Sequence, residues 1–275
     1  MTTLQLAAFR SGPHPRWLAA TLLIAAAAGA LIYEALQEPI QQSEAYHHFV
    51  DRRPFAGIPN AANVLSNVGF LAAGALGLRA VRRRRGAFLD ARERAPWIAL
   101  FAGTLLVSAG SAAYHLDPSN ASLVLDRLPM TVGFMGFLAA MIAERVDVRA
   151  GARLLAPLLA IGAVTAVSWW WTTPCGTGDL RPYYFVQAFS LAAVPLLLLA
   201  SAPRYTGTAW IVGGLGLYGA AKLAELWDEP IFAATGGVVS GHTLKHLLAT
   251  AGIALLVILI ERRRPWPAPA GGGEG

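Results

Sequence analysis

The chain has 275 residues, of which 55% are hydrophobic and 14% charged, and its mean hydropathy is +0.49, which excludes an ordinary soluble domain. Its formal charge of +6 and pI near 9.9 would suit nucleic acid if the basic residues shared one surface, but the arginines fall in short clusters beside apolar runs and no nucleic-acid partner is expected. A single cysteine, Cys175, excludes an intramolecular disulfide.

A helix needs about 20 mostly apolar residues to cross hydrocarbon. Eight segments meet that length, at residues 17–36, 61–80, 97–115, 123–143, 154–171, 183–200, 208–226 and 242–260. Small residues run through them (AAAAGA, GFLAAGALG, GGLGLYGAA), which suits close helix packing in lipid. The expected fold is therefore all-α: a polytopic membrane bundle with one extra spanning helix ahead of a seven-helix core. In chain order this gives residues 1–57 as N-terminal tail, extra helix and loop, 58–261 as the core, and 262–275 as a Pro- and Gly-rich disordered tail. The first span lacks a clear small-residue cleavage site and reads as a retained anchor.

Charge then orients the spans. With alternating crossings, sixteen arginines (Arg10, Arg16, Arg79, Arg82 to Arg85, Arg92, Arg94, Arg145, Arg149, Arg153, Arg204 and Arg262 to Arg264) fall on one side. Four (Arg52, Arg53, Arg127 and Arg181) fall on the other. The positive-inside rule makes the first side cytoplasmic and puts both termini there.

Ionisable groups inside spans are costly, so each raises a functional question. Ser111 and His115 lie one turn apart at the end of the third span, Asp126 lies near the start of the fourth, and His242 and His246 share a face at the start of the eighth. The count of spans puts all five at one depth on the outer side. Two histidines at i and i+4 with a third from another helix make a His₃ set that leaves zinc an open position. Asp126 would carry the proton and Ser111 would orient water or bind an oxyanion. Lys245 is expected to face away, to the lipid interface. Lys222 and Glu225 read as a buried pair on the seventh span, and the tryptophans of WWWTTPCGTG as an interfacial belt. His47 and His48 lie on a loop read as solvated.

The pattern Ser111-x-x-x-His115, Asp126, His242-x-x-x-His246, together with Asn63, Ser66 and Asn67 in NVLSNVGF, resembles the alkaline ceramidase family, within a wider group of membrane hydrolases that includes the adiponectin receptors. The likeness spans about residues 58–260. It implies a zinc amidase acting on ceramide-like membrane lipids, with His115, His242 and His246 as ligands, Asp126 as proton shuttle and Ser111 as its partner. Two departures matter. An acidic calcium-binding stretch precedes the first core helix in eukaryotic members; here Asn60 stands at its glutamate position and Asp51 is the one acidic residue left, so calcium is doubtful. The Arg- and Ala-rich chain also suits a bacterial inner membrane, with the site towards the periplasm, which opens the substrate to other lipid amides or esters. A transporter or receptor using Lys222, Glu225 and Asp126, or a haem protein using paired histidines, are the other classes in play. Oligomeric state is not legible.

Overall fold

The computed structural model describes residues 16–266. Arg10, used in the charge count, and residues 267–275 of the expected tail lie outside them. The helices are α1 (Arg16–Leu36), α2 (Ala61–Leu65), α3 (Val68–Arg83), α4 (Arg94–Leu116), α5 (Asn120–Arg145), α6 (Val148–Thr172), α7 (Arg181–Ala200), α8 (Thr208–Leu226), α9 (Asp228–Ala234) and α10 (Gly241–Arg262). No strand occurs among the described residues. The fold is an all-α bundle, as composition requires.

Seven helical stretches are long and apolar enough to cross a membrane, with α2 and α3 joined as one of them. The chain is thus a multi-pass membrane protein. The remaining expected span, α8, is a helix of 19 residues that carries Lys222 and Glu225 and is not among these seven. At its charged turn Glu225 is largely covered and paired, which offsets the cost of a carboxylate there.

α3, α4 and α5 pack side by side, α6 and α7 flank α5, and α10 lies between α3 and α8. α7 and α8 touch sparsely, across a seam bridged by Gln187 Nε2, which donates to the Tyr218 hydroxyl at 2.7 Å. α1 rests mainly on α7 and exposes nearly all its surface, as expected of a helix added outside a core and facing lipid. Small residues set the closest approach: a Cβ on Gly110 would collide with the Leu125 carbonyl of α5. That contact brings the turn carrying Ser111 against the turn carrying Asp126. Ser119 starts α5 with a capping box, exchanging hydrogen bonds with Ser122.

The expected tail begins as packed structure. Arg263 is 2% exposed, pairs with Glu144 at 3.3 Å, and is followed by a bridge between Pro265 and Tyr205. The boundary at 262 therefore falls too early. The charge count treats Arg263 only as an orienting charge, whereas its partners Glu144 and Glu93 come from far earlier in the chain.

Candidate metal centre

α10 starts where it does because Ser240 caps it, accepting the Thr243 N–H at 3.1 Å, while Asp228 Oδ1 accepts the His242 N–H at 2.7 Å. His242 and His246 thus occupy its first two turns on one face. A Cβ on Gly241 would collide with the Ala224 carbonyl, so this glycine lets α10 dock on α8 beside the histidines. His115 arrives from the last turn of α4. Asn60 steadies that turn, its Nδ2 donating to the His115 carbonyl at 2.9 Å, from a left-handed backbone with φ of 46° that asparagine tolerates better than most residues.

The three imidazoles are buried, their centroids lie 4.9 to 5.1 Å apart, and each offers a ring nitrogen within 4.8 Å of the other two. His115 Nε2 and His242 Nε2 are 3.4 Å apart. Nitrogens around a tetrahedral metal at about 2.0–2.1 Å stand about 3.3–3.4 Å from one another, so this edge is already of metal-site length. Ser66 fixes His246: its Oγ lies 2.9 Å from the Asn63 carbonyl and 2.7 Å from His246 Nδ1. The single hydroxyl proton goes to the carbonyl, which has none of its own. His246 Nδ1 must then donate to Ser66, leaving the Nε2 lone pair for the cluster. The Phe49 ring closes the assembly from the loop before α2, at 4.7 Å from His115 and 4.8 Å from His242.

The fold and this cluster define a membrane-helix bundle with a buried three-histidine centre that could hold a metal ion. The donor set suits zinc and other first-row divalent ions. No protein-family model and no curated protein matches the sequence.

Ser111 and Asp126 line one cavity together with His246. His246 thus belongs both to the three-histidine cluster and to the cavity that Ser111 and Asp126 line. Lys245 does not face lipid. Its side chain is 17% exposed, and its Nζ contacts Glu225 Oε1 at 2.8 Å and His242 Nε2 at 3.0 Å. A residue three after His242 shares its side of the helix, and the covered carboxylate of Glu225 draws the ammonium inward. Glu225 is consequently shared between Lys222 and Lys245 rather than forming an isolated pair, and Lys222 itself is half-exposed.

Two further expectations fail. His47 is buried, bonded through Nδ1 to the Tyr114 hydroxyl at 2.9 Å and through Nε2 to Asn120 Oδ1 at 3.1 Å, and it stands apart from the three-histidine cluster. Trp169 is 1% exposed and lies over the Arg127 guanidinium at 4.5 Å, leaving Trp171 as the exposed member of the run. Asp51 is engaged by Arg53, which donates from Nε at 2.8 Å and Nη2 at 2.7 Å. These bonds hold the Asp51 carboxyl below the usual carboxylate range. Sequence alone gives no structural role to Phe49 or Asp228, and it marks Asn60 only as a departure at a calcium position and Arg127 only as an outer-side charge.

Proposed function

We propose that the chain is a zinc-dependent membrane hydrolase that cleaves an amide bond of an N-acyl lipid, as its likeness to alkaline ceramidases implies. The observation that supports this best is that His246, a member of the three-histidine cluster, lines a cavity of about 220 Å³ together with Ser111 and Asp126. Below these polar groups the lining is apolar, including Leu100, Phe137 and Leu256. From His246 to Leu256 along α10 the cavity follows about 15 Å of helix, a slot shaped for an alkyl chain. The sparse seam between α7 and α8 gives such a chain a lateral path from the bilayer.

Bound zinc would supply an electrophile for the acyl carbonyl and lower the pKa of water to about 7. Asp126 accepts the proton lost by the attacking water and delivers it to the leaving nitrogen, so that water adds across the C–N bond to yield a carboxylic acid and an amine. Ser111 orients Asp126 and offers its hydroxyl to the developing oxyanion. Ser66 and Asn60 hold His246 and the His115 turn in place. Arginines concentrate at the opposite end of the bundle, which supports a site at the outer face of a bacterial inner membrane with both termini cytoplasmic.

Metal analysis of the purified protein should find about one zinc per chain, lost in His242→Ala and in His246→Ala. Asp126→Ala should keep zinc and lose cleavage of N-acyl lipids. Unchanged zinc in both histidine variants, or a haem Soret band, overturns the reading.

A further inference from the structure

Arg127, next to Asp126 on α5, is 4% exposed and enclosed by the rings of Trp169, Tyr183 and Tyr46 at 4.5, 5.0 and 5.7 Å. Aromatic faces favour a cation but do not use its N–H donors. Nη2 donates to Gln42 Oε1 at 2.6 Å, while Nη1 is buried with no partner. Among the described residues Arg127 enters no ion pair. A buried guanidinium left with an empty donor and no counter-ion is costly, yet this one lines the cavity.

Lys222 and Lys245 line the same polar end and share the single carboxylate of Glu225. The other partner of Lys245 is His242 Nε2, whose lone pair a metal would claim, returning an ammonium donor to the cavity. Arg127, Lys222 and Lys245 thus converge with unused donor capacity where a headgroup must sit.

Building on the hydrolase reading for the position of the acyl carbonyl, we propose that the substrate is an acyl lipid bearing an anionic group, carboxylate or phosphate, beside that carbonyl, held by Arg127, Lys222 and Lys245. Planar donors on Arg127 suit either oxyanion, and the two lysines supply charge without fixed geometry. A neutral ceramide-like headgroup would leave Arg127 without an opposite charge and both lysines on the one carboxylate of Glu225.

The test measures binding of tetradecanoate, tetradecyl phosphate and tetradecanol to the full-length, metal-containing protein in a neutral detergent by calorimetry. None has an amide to cleave, so binding is read whether or not hydrolysis occurs. The anions should bind at least tenfold more tightly than the alcohol, the stronger of the two naming the headgroup class. In Arg127→Gln and in the double variant Lys222→Gln/Lys245→Gln this preference should shrink at least threefold; the double variant, which neutralises the half-exposed Lys222 and the largely covered Lys245, serves if Arg127→Gln does not fold. Equal binding of alcohol and anions overturns the proposal. So does a preference that survives in the variants, which would mark coordination of the anion by the metal alone. If N-dodecanoylethanolamine is cleaved as fast as N-dodecanoylglycine, the hydrolase reading stands and the anion site falls; if anions bind as stated but no N-acyl lipid is cleaved, the reverse holds.

Discussion

The two ends of the bundle bury charge in opposite ways. At the arginine end, Glu93, Glu144, Arg145 and Arg263 are all under 5% exposed. Each finds an opposite charge: Arg204 lies 3.1 Å from Glu93, and Arg145 and Arg263 each lie 3.3 Å from Glu144. Tyr205 adds a short bond to Glu93, and Arg263 donates to the Ala87 carbonyl at 2.9 Å while lying over Phe88 at 4.2 Å. This network ties the start of α4, the end of α5, the loop before α8 and the end of α10. At the histidine end, Arg127 is buried yet enters no ion pair among the described residues, and it opens with Ser111, Asp126 and His246 on a cavity. Buried charge alone does not mark a functional site. Buried charge that lines a cavity without an opposite charge beside it does.

The sharpest way to break this contrast is to delete one residue from each end. His246→Ala should abolish metal binding and hydrolysis. Arg263→Ala should leave metal per folded chain unchanged but destabilise the fold by about 3–5 kcal/mol, the cost of stranding a buried partner, read by denaturant unfolding in detergent. If Arg263→Ala loses metal before it loses stability, the two ends are not separate in kind. Next in size is Ser66→Ala, which frees His246 Nδ1 from its acceptor. It should weaken metal affinity about 10–100-fold, measured by chelator competition, with little change in stability.

How much of this was legible depended on the range of each contact. His242 and His246 share a face by helical periodicity, and His115 reaches them through alternation of spans, so the cluster needed no tertiary knowledge. Lys245, Trp169 and Arg263 were misread for one reason: the partner that defines each lies far away in sequence. Glu225 is 20 residues from Lys245 and Glu144 is 119 from Arg263, on different helices. Composition marks such residues as interfacial because it sees a charge or an indole beside an apolar run. Phe49 gave no signal at all, since its role comes from a loop folding back over α4 and α10.

Lys245 sharpens the comparison from the other side. With Nζ at 3.0 Å from His242 Nε2, the ammonium competes with any metal for that lone pair. Lys245→Met removes both the hydrogen bond and a positive charge near the cation. Metal affinity should rise about tenfold, since hydrogen bonds involving charged groups contribute about 1.5–3 kcal/mol and part of this is recovered in the pair with Glu225. Unchanged affinity would mean that Lys245 gives up His242 at no cost, and that its place is set by Glu225 alone.

The smallest effect is expected in the loop that carries Phe49. Asp51 is buried and Arg53 largely exposed, and Arg53 also donates to the Val238 carbonyl at 3.1 Å, fastening the loop to the segment before α10. Because the Asp51 carboxyl is held below its ordinary value by Arg53, it stabilises the fold above the unfolded value near 3.9, and that contribution is lost as pH falls through the lowered folded value. Asp51→Asn should therefore cost about 1 kcal/mol at neutral pH, the upper end for a pair with one exposed partner, and the difference from wild type should vanish in acid below that window. Thermal unfolding at neutral and acid pH reads both quantities. A larger loss at neutral pH, accompanied by loss of metal, would show that the loop holds the histidines as well as covering them, and would extend the functional end of the bundle to the strap above it.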